Sequence, residues 1–530
     1  MWWTADDTVR ELAPSEQRFV RHATYTGRSV LVEGELDIPA LRSAFEALLR
    51  AHPILRCRIG EDAAGTGHLL RPAGSAVGAW VRTGDTATVR LPEESLDPSV
   101  QLAYLDVVTE NDRARVTFYA HHSVADAGHC VALLARLWDR YTGEVSGVVE
   151  DAAPQEYPRP LEWYAARHGI PRSAVSGLES ASRPLAHPPV LPPDPPTPAP
   201  AALARPERTI LSPEATARIV ELGRRHGVTV NALLTAALLR AYAGEIGLEP
   251  GDSARDGAWR HGAGVGEPGD RHAAERRDPH SCDVGRGDVE QQRASGQCGA
   301  VSGEPGGRWV AEWRDPHSRG VGPGDAESRN QHGAGPGEPD DERDSGRRDS
   351  YSHDARPGDS VPLRCVYPVD MRARLNPPIA AADGTNMAGL AAFAADVTTA
   401  TDVIELAQRI SARLRHDLAE GIVQQSVLHF PEFFGPTAIH SLAGHIAVTN
   451  TGRVPYFRTP PGLTLTDYEI VYLSAHPRPS AGPSAAVTFL VYTFADRLCV
   501  GVLGGGPLAA RLPSAVGREL ADLAAVCIDV

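Results

Sequence analysis

Two adjacent histidines, with an aspartate four residues after the second, form the stretch His121-His122-Ser123-Val124-Ala125-Asp126-Ala127-Gly128. An unperturbed imidazole titrates near pH ~6.5, so His122 can take a proton from a hydroxyl at neutral pH. Asp126 can orient a ring or brace the loop through an arginine. A bare HxxxD pattern equally suits a His–Asp pair that only caps a turn, and the local residues leave both readings open. His121 suits packing or loop shaping better than a second base, and nothing marks Ser123 as a nucleophile. Other chemistries have less to stand on. There is no GxSxG nucleophile elbow and no HExxH zinc motif. The glycine-rich runs, within 251–360 and at Gly504-Gly505-Gly506, lack the form of a phosphate- or dinucleotide-binding loop.

The elements around this stretch can be read from hydrophobic periodicity. RVTFYA (115–120) and QLAYLDVVT (101–109) read as strands paired across the turn ENDRA. The histidines follow the second of these strands directly, and a helix over 131–141 follows them. A loop leaving a strand end is where a scaffold presents reactive groups. Upstream, SVLVEGEL (29–36) alternates like a strand and IPALRSAFEALLRA (38–51) has helical spacing. Further on, 213–226 is a helix with Ser212 as its N-cap. An apolar helix covers 231–242, and 403–418 is an amphipathic helix. LRCVYP (363–368), 443–449 and 485–493 read as strands. Helices and strands alternate throughout, which indicates an α/β fold. His429 and His440 look exposed and take no role.

The chain has 530 residues, 42% of them hydrophobic, with a net charge of −15. That balance argues against nucleic-acid binding, which needs a basic face. All 52 basic residues are arginine. The seven cysteines are odd in number and scattered, with no CxxC pair, so neither a disulfide framework nor a metal site is expected. No apolar run is long enough to span a bilayer, and MWWTADDTVRELAP lacks the apolar core of a signal peptide. A cytoplasmic protein is expected.

The segment 251–360 contains no Leu, Ile, Phe or Met, and holds 21 of the 51 glycines. It cannot bury enough apolar area to offset its ordering entropy, so a disordered low-complexity insert is expected. HGAGVGEPGD (261–270) returns as HGAGPGEPDD (332–341), and RDPHS occurs at 277–281 and 314–318. The abrupt change of composition at both edges also fits a frame-shifted stretch. The proline-rich 187–206 reads as a stiff linker. The expected organisation is an N-terminal domain at 1–186, that linker, and a C-terminal domain formed by 207–250 and 361–530.

HHSVADAGH resembles the HHxxxDG motif of the condensation-domain superfamily, whose founding fold is that of chloramphenicol acetyltransferase. LDIPALRSAFEALLRAHPILR (36–56) is similar to the opening helix of that family and its His-Pro-x-Leu-Arg step. LSPEATARIVELGRRHGVTVNALLTAALLRAY (211–242) resembles the start of its second domain. VYPVDMRARLNPPIAAADGTNMAGL (366–390), GIVQQSVLHF (421–430) and FRTPPGLTL (457–465) resemble the phthiocerol/phthiodiolone dimycocerosyl transferase branch of polyketide-associated acyltransferases. The likeness covers the chain outside 251–360.

The resemblance implies two acetyltransferase-like α/β domains with a tunnel at their interface. It implies transfer of a long-chain fatty or polyketide acyl group to an alcohol, without a covalent acyl-enzyme. The donor would be an acyl-carrier-protein or coenzyme A thioester, with no bound cofactor and no metal. His122 matches the family's base. Asp126 matches its structural aspartate, which points away from the substrate and pairs with an arginine, here Arg372. His121 and Gly128 complete the motif, but Ala127 stands where the family has glycine, and alanine disfavours φ > 0. Asn386 and Asn450 fall where relatives line the tunnel. Arg413 and Arg415 are candidates for docking an acidic carrier protein or polyketide synthase carrier domain. A monomer is expected. Two other readings share these residues: an amide-forming condensation enzyme of non-ribosomal peptide synthesis, and an inactive carrier-binding relative.

Overall fold

The computed structural model describes residues 3–148, 153–181, 199–247, 360–375, 377–434, 446–478 and 486–526. Two six-stranded sheets organise the described residues. The first runs Trp80–Thr83, Ala103–Glu110, Arg113–His121, Thr24–Glu33, Thr464–Ser474, Ala202–Ala204. The second runs Ala388–Val397, Val361–Asp370, Ile446–Arg453, Val487–Phe494, Arg497–Gly504, Glu207–Ile210. A small third sheet joins Thr8–Glu11, Gly67–Leu70 and Arg58–Glu61.

The central strands are apolar on both faces because both faces are covered. Arg113–His121 is exposed only at its first residue. It forms a two-residue hairpin with Ala103–Glu110, with Glu110 opposite Arg113. Asn111 at φ 53° supplies the left-handed conformation that such a turn demands. Gly27 lies at a close approach within the first sheet. A Cβ there would stand 2.6 Å from Val471 and 2.8 Å from Tyr119.

Helix Ile38–Ala51 opens with the Asp37 side chain accepting from the Ala40 amide at 2.9 Å. It buries Leu41, Phe45, Leu48 and Leu49 in the core of the first sheet, beside helix Ala127–Ser146. Each such side chain contributes about 1.5–3 kcal/mol of transfer free energy. Phe45→Ala would add a cavity term and cost about 3–5 kcal/mol. The second core is built on helix Val230–Gly247, apolar all round because it is buried all round. It packs against helices Val403–Ala419 and Leu512–Ala525.

The structure departs from the sequence reading in four places. Thr464–Ser474, read as part of the C-terminal domain, is hydrogen-bonded along its length to Thr24–Glu33 in the first sheet. Ala202–Ala204, read as linker, forms a short strand beside it, and most of that linker lies outside the described residues, as does the segment 251–359. The helix read at 131–141 begins four residues earlier, at Ala127, because Asp126 caps it. His429 is buried, with its ring bonded to Glu432 and the Ser173 carbonyl, while His440 lies outside the described residues. No described helix is long and apolar enough to cross a membrane.

Candidate active site

His121 ends the Arg113–His121 strand, and Asp126 begins the following helix. The four residues between form a tight loop, held at both ends. The His122 amide donates to the Thr24 carbonyl at 2.8 Å, and the Ser123 hydroxyl donates to the Glu16 carbonyl at 2.7 Å. Glu16 is itself fixed by Arg10, at 2.6 and 2.8 Å. The loop is thereby tied to the N-terminal segment that carries Arg18 and Phe19.

The His122 ring lies on Phe19, with centroids 4.0 Å apart and planes within 10°. Its Nδ1 is 3.0 Å from the Ala125 carbonyl. A carbonyl only accepts, so Nδ1 carries the proton of the neutral ring and Nε2 keeps its lone pair. Burial pushes the imidazole pKa down, and the cations Arg18 and Arg28 push it further, to about 3. The ring is therefore neutral at pH 7, in the form that accepts a proton. His121 differs in kind. It is fully buried, edge-on to Tyr25, and receives the Ser123 amide on Nδ1.

Asp126 is engaged mainly by protein donors. Oδ1 accepts from the His129 amide at 2.9 Å, capping the helix. Oδ2 accepts from Arg372 Nη1 at 2.7 Å and from the Met387 amide at 2.9 Å. Arg372 is 3% exposed and also donates to the carbonyls of Asp383 and Thr385. Burial pushes the Asp126 carboxyl up, but Arg372 and the two amides overcome this and hold it at about 2. Ala127 is the first helical residue and is not among the positive-φ positions. Alanine in place of glycine therefore introduces no strain. Gly128 lines the chamber one residue later, and a Cβ there would meet only ordinary contacts.

The chamber has a volume of about 510 Å³, and His122 faces it together with Phe19, Asn386, Asn450, Leu503 and Tyr472. Both sheets contribute to its wall. Asn386 is fully buried, donates to the His122 carbonyl at 3.3 Å and accepts from Arg18 at 3.2 Å. Asn450 sits at an irregularity of its strand, donating to Asn231 and accepting from the Gly452 amide. A second cavity of about 330 Å³ is lined by His52, His129, Gln155, Tyr157 and Asp383. The Asp126–Arg372 pair bonds to His129 and Asp383, so it stands between the two spaces.

Arg413 and Arg415 lie far from this chamber in sequence and outside its lining. Arg413 pairs with the buried Asp417 one turn along its helix, at 2.8 Å, while Arg415 is exposed. The sequence reading missed Arg18, Phe19 and Tyr472. No spacing signal connects residues 19 and 472 to residue 122, because strand pairing alone brings them together. Among the described residues, no group of three or more His, Cys, Asp or Glu could hold a metal ion.

Residues 200–255 and 349–503 match the family model described as the phthiocerol/phthiodiolone dimycocerosyl transferase C-terminus. A phthiocerol/phthiodiolone dimycocerosyl transferase of Mycobacterium sp. (strain JLS) is 29% identical, over 94% of this chain and 91% of that protein. That of Mycobacterium tuberculosis is 27% identical, over 87% and 85%. The chain is similar to these dimycocerosyl transferases, and it is an acyltransferase. The transferase shares its fold with polyketide synthase associated protein 5 of Mycobacterium tuberculosis. That match has a TM-score of 0.65 at 23% identity and covers 98% and 99% of the two chains. It also shares it with the epimerization domain of tyrocidine synthetase B, with a TM-score of 0.54 at 11% identity over 99% and 100%. The architecture is thus that of condensation domains. The family match runs on either side of 256–348.

Proposed function

We propose that the transferase moves a long-chain fatty or polyketide acyl group from a thioester to an alcohol during lipid assembly. The observation that carries this is His122: a neutral imidazole whose Nδ1 is occupied by the Ala125 carbonyl, with its ring in the wall of a largely apolar chamber. In this reading Nε2 takes the hydroxyl proton as the alcohol oxygen bonds to the thioester carbonyl carbon. The tetrahedral intermediate collapses by breaking the carbon–sulfur bond, and the departing thiolate takes the proton back from His122. No acyl-enzyme forms. Holding both substrates in one chamber lowers the barrier further by removing the entropy of their encounter. The donor is an acyl-carrier-protein, polyketide synthase carrier domain or coenzyme A thioester. The protein works in the cytoplasm as a monomer, without a bound cofactor. Asp126 and Arg372 shape the loop, and Asn386 holds the His122 backbone.

The test is acyl transfer from palmitoyl-coenzyme A and palmitoyl-pantetheine to medium- and long-chain alcohols, with amines of the same length as competitors. Ester from the wild type, and none from a folded His122→Ala variant, is the expected outcome. Preferential amide formation would move the reading to an amide-forming condensation enzyme. Ester formation that survives His122→Ala would remove the base.

A further inference from the structure

The acyl-transfer reading places a negative charge on the thioester carbonyl oxygen in the tetrahedral intermediate, and His122 cannot stabilise it while accepting the alcohol proton. Preorganised donors aimed at such an oxygen supply a large part of catalysis in acyl transfer. Asp126 contributes only acceptors. Arg372 is committed to Asp126 and to backbone carbonyls.

The strand Thr464–Ser474 brings Tyr472 into the chamber wall, with its ring centroid 5.8 Å from that of His122 and the planes 24° apart. Across the strand pair, Tyr472 lies directly opposite Thr26, so the two side chains share one face of the sheet. Thr26 Oγ1 accepts from Arg28 Nη1 at 2.5 Å. Arg28 is 1% exposed, and its other bond goes to the Gly27 carbonyl. Among the described residues its Nε has no partner, and it makes no ion pair. A buried cation without a counter-ion costs several kcal/mol. Here its polar contact from the side chain is spent on the hydroxyl behind Tyr472.

We propose that the Tyr472 hydroxyl is the hydrogen-bond donor to the oxyanion formed on the thioester carbonyl, backed by Thr26 and Arg28. The inference rests on the acyl-transfer reading above. Counting donors gives the direction of the chain. Arg28 can only donate, so Thr26 Oγ1 accepts, and the Thr26 hydrogen is available to the Tyr472 oxygen. The phenolic hydrogen is then free to point into the chamber. A cation at the far end polarises each bond toward the oxyanion. Burial raises the phenol's pKa, so the proton stays on throughout the working range.

The test uses the full chain and the palmitoyl thioesters named above. Tyr472→Phe, which keeps the ring, is expected to lower kcat about 10²-fold with the thioester KM within about twofold. Thr26→Val is expected to lower kcat about tenfold in the wild-type background and not at all in the Tyr472→Phe background, because Thr26 acts through that hydroxyl. A folded Tyr472→Phe protein that keeps kcat within about threefold overturns the inference while leaving the acyl-transfer reading intact. A Thr26→Val effect of equal size in both backgrounds overturns the relay. A wild-type protein that transfers no acyl group removes both readings together.

Discussion

The carboxylate of Asp126 and the guanidinium of Arg372 meet at 2.7 Å across 246 residues of chain. The pair joins the first turn of the helix after the His-His loop to the strand and turn at 370–374, in the opposite half of the molecule. With Met387 and His129 it closes every acceptor position of the carboxylate that faces protein. This geometry makes Asp126 a brace for the loop rather than a partner of the His122 ring.

Asp126→Ala is therefore expected to leave the buried Arg372 with only its longer contact to Asp370, at 3.3 Å, at a cost of up to about 3–5 kcal/mol. The loss should show as a lower denaturation midpoint and poor soluble yield, together with lost activity. Adding Arg372→Met should recover part of the stability, since removing both charges costs less than removing one. An Asp126→Ala protein of wild-type stability with a purely kinetic defect would contradict the bracing role.

Acid should destabilise this fold well before its carboxylates are protonated. Burial above all, helped by neighbouring cations, holds His121, His122 and His129 near 3 and His52 near 4. Unfolding returns each to about 6.5. Between those values the unfolded chain binds more protons, so stability rises with pH across that window and is lost as pH falls from about 6.5 toward 3. Glu162 has the opposite sign. Burial and Glu16 raise it to about 7, so its contribution is complete below about 4.5 and is lost as pH rises through 7. Asp106 and Asp370, also raised by burial, act in the same sense as Glu162, and the four imidazoles outweigh these carboxyls on acidification. Denaturant titrations at pH 7, 6, 5 and 4 measure it, and a midpoint that does not move would falsify the assignment of buried neutral histidines.

The same neutrality predicts the pH dependence of activity. His122 stays in its proton-accepting form down to about pH 4, so kcat/KM should show no fall from this group between pH 8 and 5. Initial rates at a temperature where the fold survives acid will check this. An acid limb centred near 6.5 in a fully folded enzyme would show an imidazole far more solvated than the chamber allows.

Asn386 fastens the loop from the other side, through the His122 carbonyl. Asn386→Ala removes that donor and the acceptor for Arg18 at once. An unsatisfied buried group costs about 1–3 kcal/mol, and the loosened His122 backbone should lower kcat about tenfold with little change in KM. Steady-state kinetics beside a melting curve separates the two effects. A rate equal to wild type would restrict Asn386 to a structural role.

A chain lacking 256–348 should melt as cooperatively as the full chain, with a Tm equal or a few degrees higher. The family match skips that segment, and shortening a connection gains only about 0.6 kcal/mol of closure free energy per halving of its length. Calorimetry of the two proteins decides it. A broad or lowered transition in the shortened chain would show that the segment contributes to the fold.

Much of this site was legible in the sequence, for local reasons. A β-run ending in two histidines defines where the loop lies, whereas the helix start at Ala127 was set by the cap that Asp126 makes in the structure. Hydrophobic periodicity located the helices at 38–51, 231–242 and 403–418 and most of the central strands, because buried faces repeat with the period of the element. Arg372 was reached only through the likeness of its surrounding segment to a family, since no local pattern pairs residue 126 with residue 372. The tertiary structure alone decided that Thr464–Ser474 leaves its own half to pair with Thr24–Glu33. Strand pairing is a non-local hydrogen-bonding choice, and an alternating apolar run fits more than one sheet. That choice brought Tyr472 to His122 and set Thr26 and Arg28 behind it, while the pairing of Thr24–Glu33 with Arg113–His121 placed Phe19 against the imidazole. The likeness of the motif to a family thus named His122 as the candidate base, whereas its protonation state and its neighbours came from burial and from contacts between segments hundreds of residues apart.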